Sequence, residues 1–144
     1  MPNDMSLFSF RKDERLAKKK SIERLFKEGT SFFIHPLKVY WLLAPIEQDV
    51  PAQLLVIVGK RSFKRAVDRN RIRRQIREMY RLSKPGFHQF LEERHQQCML
   101  TFIYTSNQHI ETQEMERKIK LIFRRLENDI EAKVNNITRT LSDH

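Results

Sequence analysis

The apolar residues of the chain alternate between two periods, and the switches between them mark out the elements. Ile22, Leu25 and Phe26 recur at helical spacing between Ser21 and Gly29, which predicts a short amphipathic helix over residues 21–28 (α1) with Ser21 as its N-cap. Residues 31–34 predict a short strand (β1), and residues 37–43 a stronger one (β2). The stretch from Ala44-Pro45 to Val50-Pro51 reads as a turn. Residues 53–58 are apolar after Gln53 and end in β-branched Val56, Ile57 and Val58 before Gly59, the pattern of a central strand (β3). Ile72, Ile76, Met79 and Tyr80 then return to the helical period over residues 70–81 (α2), and Lys84-Pro85-Gly86 is expected to close that helix. A short helix is expected over 87–97, a strand over 99–104 (β4), and a long helix from Thr112 to about Asn135 (α3). Ile119, Ile122, Phe123, Leu126 and Ile130 give the last helix its apolar stripe.

This order predicts one α+β domain over residues 1–144, with helices packed on a four-stranded sheet. Its core is expected over about 10–126, with flexible ends at 1–9 and 136–144. The basic helix lies between two strands, so parallel pairing of those strands would generically make a right-handed crossover. No internal repeat and no low-complexity segment is present.

Charge changes the picture at one place. Residues 60–81 hold ten Lys and Arg against two acids, and so carry most of the formal net charge of +10. At about 100° per residue the apolar residues of this helix fill one sector, while Asn70, Arg73, Arg74, Arg77 and Arg81 fill the adjoining one. An ordinary solvated helix face interleaves acids and bases in pairs; this one would repel itself without an anion. At 1.5 Å per residue, residues 70–81 span roughly 16 Å, enough for several successive phosphates. Arginine suits bidentate phosphate contacts and stacking on bases. The pattern favours nucleic-acid binding over a merely solvated surface.

Composition narrows the remaining classes. At 144 residues and 40% hydrophobic content, one soluble domain is expected. The longest apolar runs fall far short of the ~20 residues of a membrane helix, and Arg11 to Glu14 interrupt the short apolar run at the N-terminus. The cytoplasm is therefore the expected compartment, with no membrane partner. A single cysteine, Cys98, excludes an intramolecular disulfide and the usual cysteine-based zinc sites. The five histidines are scattered, and three glycines exclude a glycine-rich phosphate loop. Carboxylates such as Glu92, Glu93, Asp129 and Glu131 fit helix surfaces, and Cys98 fits a buried strand. Nothing local supplies catalysis.

Lys60-Arg61, Lys64-Arg65-Ala66-Val67, Arg69-Asn70-Arg71-Ile72-Arg73-Arg74 and Arg77-Glu78 together closely resemble the signature of the bacterial ribonuclease P protein subunit. Arg15-Leu16 with Ile22, Leu25-Phe26-Lys27 and Gly29 is similar to that family's first helix, and Leu37-Lys38-Val39-Tyr40 to its second strand. The resemblance spans roughly Phe10 to Leu126. It implies the order α1-β1-β2-β3-α2-β4-α3 with a left-handed β-α-β crossover, the ribosomal protein S5 domain 2-like fold, against the generic right-handed expectation. It also implies a function, as protein partner of a catalytic RNA that removes the 5′ leader of precursor tRNA. The RNA would carry the chemistry of this endoribonuclease with magnesium bound to RNA and substrate, and no further protein partner would be required.

Site residues follow from the same resemblance. Arg69, Asn70, Arg71, Arg73, Arg74 and Arg77 match the helix that faces the catalytic RNA, and Arg81 continues it. Lys60, Arg61, Lys64 and Arg65 extend the surface at the helix entry. No side chain is expected to ligate a metal directly; Asn70 can donate and accept, which suits it to a phosphate or to a water on RNA-bound magnesium. The family's leader cleft implies roles for Phe26 and Tyr40, with Ile22 at a position often aromatic in relatives. Phe32, Phe33, Trp41 and Phe63 fit either core or RNA contact. A structural or ribosomal RNA-binding protein without a role in cleavage is the alternative reading, and a major-groove DNA module a more distant one.

Overall fold

The computed structural model describes residues 10–142; of the flexible ends expected at 1–9 and 136–144, residues 1–9 and 143–144 lie outside them. A 3₁₀ turn at Lys12–Glu14 leads into α1 (Lys19–Glu28), β1 (Thr30–Ile34), β2 (Leu37–Leu43), β3 (Ala52–Val58), α2 (Ala66–Glu93), β4 (Cys98–Tyr104) and α3 (Thr112–Ser142). The sheet order is β1-β2-β4-β3. β1 and β4 both run antiparallel to β2, and β3 runs parallel to β4 from Ala52 opposite Cys98 to Val58 opposite Tyr104.

Besides shifts of one residue at strand starts, the structure departs from the sequence reading in four ways. α1 begins at Lys19 with Lys18 at the cap, so Ser21 is not the N-cap. β3 is an edge strand rather than a central one. Its apolar character comes from cover on both faces and from the N-terminal segment, which meets its outer edge at the Arg15–Leu54 bridge. α2 does not stop at Lys84-Pro85-Gly86 but runs on to Glu93, absorbing the separate helix expected over 87–97. Proline inside a helix costs about 3 kcal/mol. Phe87 and Leu91 continue the buried stripe of Ile72, Ile76 and Tyr80, and Phe87 stacks on Phe123 of α3 at 5.0 Å, which offsets that cost. Finally, α3 continues to Ser142, past the expected end near residue 135.

Strand alternation gives the sheet two apolar faces. One packs Val39, Trp41, Leu54, Val56, Leu100 and Phe102 against Ile72, Ile76 and Tyr80 of α2 and Ile119, Ile122 and Leu126 of α3. Phe32 and Trp41 belong to this core, with Arg125 lying over the Phe32 ring. The other face is covered only in part, by Leu16, Leu25 and Ile22 over Leu42, Ala44 and Met99. Gly29 sets how closely α1 can enter that face. A Cβ there would sit 2.3 Å from the Leu25 carbonyl oxygen and 2.9 Å from that of Trp41, both backbone atoms that cannot turn aside.

Between the inner side of α2 and the N-terminal segment lies a polar group of four, three of them buried and His88 half-buried. Lys84 (2% exposed) pairs with Glu14 (6% exposed), and Tyr80 Oη lies 3.2 Å from His88 Nε2. Burial, with the charge of Lys84 second, pushes His88 down to about 3, so the folded protein holds it neutral. The unfolded chain binds the proton below about pH 6.5, which means stability is full above that pH and falls as the pH drops toward 3. Between pH 7 and 5 the wild type is expected to lose about 2 kcal/mol through this group. Thermal unfolding of His88→Gln across the same range should show a correspondingly smaller decline; parallel curves would remove His88 as the cause.

Candidate nucleic-acid interface

The basic helix is held by its apolar sector, and that fixes where its arginines point. Ile72 and Ile76 are fully buried, so residues one and two positions on face outward. Asn70, Arg73, Arg74, Arg77 and Arg81 line a single cleft of about 620 Å³. Phe10 and Arg15 of the N-terminal segment form its other wall. Burial lowers the Arg77 pKa below the usual arginine value, and the neighbouring charges of Arg15 and Arg73 add to the effect. Positive charge is thus concentrated in one partly sheltered cleft, an arrangement that favours a polyanion.

Not every predicted cation has the same freedom. Arg73 donates to Asn70 Oδ1 at 2.7 Å and reaches toward the Val58 carbonyl at 3.5 Å, so it crosses from the helix to the end of β3. Asn70 therefore spends acceptor capacity on Arg73, leaving its amide donors for a phosphate. Arg69 donates to the carbonyls of Phe63 and Lys64 at 2.9 and 2.7 Å; it holds the entry loop onto the helix. Arg65 pairs with Asp68 at 3.0 Å and Arg81 with Glu78 at 2.6 Å. Lys60, Arg61, Lys64, Arg71 and Arg74 are exposed. Phe63 is buried, 4.6 Å from the His109 ring and stacked on Tyr104 at 6.0 Å, so it anchors the entry loop.

A second surface lies on the partly covered sheet face. Phe26 of α1 is 38% exposed and meets Tyr40 edge to face at 4.9 Å. Lys38 Nζ lies 5.2 Å over the Tyr40 ring, and Ile22 packs beside it. Strand register extends this floor: Phe33 is opposite Lys38, Lys38 opposite Ile103, and Ile103 opposite Ile57. Phe33, at 54% exposure, belongs to this open face, whereas Phe32 and Trp41 belong to the core. In the next row Thr101 lies between Tyr40 and Leu55, its hydroxyl buried without a hydrogen-bond partner. The two rings, a cation and an apolar floor make a surface suited to single-stranded bases.

Phe10 and Arg15 were not among the residues singled out for binding by the sequence pattern. They belong to no helix; the bridge to Leu54, the buried Glu14–Lys84 pair and the edge-on contact of Phe10 with Tyr80 at 5.7 Å bring them to the cleft. Cys98 is buried, its thiol pushed up to about 12, and so is unsuited to nucleophilic chemistry. Among the described residues no group of three His, Cys, Asp or Glu side chains converges on one point. Among them, too, no helix is long and apolar enough to cross a membrane.

The family model for ribonuclease P matches residues 10–127, which is most of the chain and contains both surfaces. The chain belongs to the ribonuclease P protein family. The ribonuclease P protein component of Porphyromonas gingivalis is 34% identical over 113 residues, covering 78% of this chain and 82% of that one. That of Chlorobaculum tepidum is 39% identical over 95 residues, 60% of each chain. Solved RNase P proteins share the fold. The one from Staphylococcus aureus superposes with a TM-score of 0.62 at 20% identity, covering 77% of this chain and 93% of its own. The one from Thermotoga maritima gives 0.62 at 19%, covering 78% and 96%. The part of α3 beyond residue 127 lies outside the matched family span.

Proposed function

We propose that this protein, as the protein component of ribonuclease P, grips the catalytic RNA with the α2 cleft and the 5′ leader of precursor tRNA with the α1–sheet surface. The observation that carries the reading is the cleft of Arg73, Arg74, Arg77 and Arg81, built into a helix of a chain that belongs to this family. Neutralising phosphates with these side chains lets RNA segments approach that would otherwise repel one another. Asn70 adds a neutral donor beside the guanidinium groups. Magnesium held by RNA and substrate would supply the activation of the attacking water, with no side chain of this protein required as its ligand. The protein raises the local concentration of substrate and holds its leader in a fixed direction. No other protein is required, and the work takes place in the cytoplasm.

Phe26 and Tyr40 are the residues for the leader. Their rings offer stacking without strong sequence preference, worth roughly 1–3 kcal/mol per base. The test compares precursor tRNA with mature tRNA as ligands of the reconstituted particle. Wild-type protein should prefer the precursor, and Phe26→Ala with Tyr40→Ala should reduce that preference about tenfold or more while leaving affinity for mature tRNA unchanged. Equal weakening for both ligands would move these rings out of the leader site.

A further inference from the structure

The residues before α1 form no regular helix of their own, yet they are pinned at several points. The Leu16 amide donates to the Leu54 carbonyl at 3.0 Å, and Gln53 Nε2 donates to the Asp13 carbonyl at 2.8 Å. Glu14 accepts from the Arg11 amide at 3.0 Å and makes the buried pair with Lys84 of α2. A buried ion pair is a poor source of stability against an apolar replacement of the same volume. What it does supply is a fixed position, because parting the two would leave each charge poorly compensated in a buried site.

The residue that this fixes next is Arg15. It borders the arginine cleft beside Arg73 and Arg77, and also an adjoining cleft of about 440 Å³ lined by Arg11, Lys12, Asp13 and Lys18, in which three cations outnumber one acid and Lys18 pairs with Glu47. Its guanidinium lies 5.6 Å over the Phe10 ring, and among the described residues no carboxylate pairs with it. Glu78, the acid of the first cleft, is engaged by Arg81. Two basic clefts therefore share one arginine at their junction.

We propose that residues 10–18 are a second RNA-gripping wall, with Arg15 contacting an RNA phosphate where the two clefts meet and the Glu14–Lys84 pair acting as the latch that positions it. This rests on the ribonuclease P reading for the identity of the RNA, and extends the grip from one helix to a strand of phosphates crossing to the edge of β3. Arg15 is a binding residue in this scheme; Glu14 and Lys84 are positioning residues.

The test measures affinity of the full chain for ribonuclease P RNA across a salt series, with 5′-leader cleavage followed in parallel. Arg15→Ala, an exposed change, should weaken binding about tenfold and flatten the salt slope by about one phosphate unit. The latch variant Glu14→Gln with Lys84→Met should lose the same unit with Arg15 intact, and adding Arg15→Ala to it should change nothing further. An unchanged slope for Arg15→Ala overturns the proposal even if the latch variant fails to fold. A folded latch variant with the full wild-type slope overturns the positioning role. Should the slopes shift as expected while the wild type gives no stimulation of cleavage, the RNA grip stands and the ribonuclease P reading falls.

Discussion

Replacing Arg73, Arg74 and Arg77 together with alanine is expected to weaken binding of the catalytic RNA by roughly a hundredfold or more at moderate salt, and to flatten its salt dependence by about three phosphate units. The three side chains project into one cleft from a helix whose adjoining apolar sector is locked into the core by Ile72, Ile76 and Tyr80. Their backbone anchor points are therefore set before RNA arrives, so binding has side-chain ordering rather than helix formation to overcome. Crowding of like charge, already felt by Arg77 through Arg15 and Arg73, is relieved by an arriving phosphate. The fold should survive, because Arg74 is exposed and Arg73 gives up only contacts with Asn70 and the Val58 carbonyl. Filter binding at several salt concentrations, with circular dichroism to monitor folding, separates loss of grip from loss of structure. A folded variant with the wild-type salt slope would exclude the cleft from the interface.

The largest effect on stability is expected at the buried ion pair. Glu14→Ala leaves Lys84 buried, with 2% of its surface exposed and the Phe10 ring 5.9 Å away as a partial substitute. Breaking one side of a buried pair typically costs about 3–5 kcal/mol, because an uncompensated charge stays behind. The variant also loses the cap that Glu14 gives the Arg11 amide. Denaturant unfolding should show this loss for Glu14→Ala, while Glu14→Gln with Lys84→Met should recover most of it. Similar stability for the single and double variants would mean that the charge pair is already solvated.

The helical phase of α2 was legible because four apolar residues at three- and four-residue spacing admit one orientation, and the basic sector follows from it. The identity of the arginine face came from the same arithmetic together with the Arg69-Asn70-Arg71 resemblance. What was not legible depends on contacts far apart in sequence. Pro85 reads locally as a stop, yet Phe87 and Leu91 carry the helix through it by packing on α3. An apolar run such as residues 53–58 suits a strand covered on both faces whether it is central or at an edge, and only the pairing with β4 decides. Phe10 and Arg15 reach the cleft through a latch between residues seventy positions apart. No local pattern encodes that. Side-chain pairing was equally hidden: Arg69 and Arg71 flank the same asparagine, but Arg69 is turned onto loop carbonyls while Arg71 faces solvent.

The most direct measurement is reconstitution of the protein with a bacterial ribonuclease P RNA, following 5′-leader release from precursor tRNA at low magnesium. The protein should strongly stimulate cleavage, and stimulation should disappear with the Arg73, Arg74 and Arg77 substitutions, while cleavage itself returns when magnesium is raised enough to screen the RNA without protein. Tight binding of the same RNA with no stimulation at any magnesium concentration would contradict the role in leader removal and identify a structural RNA-binding protein instead.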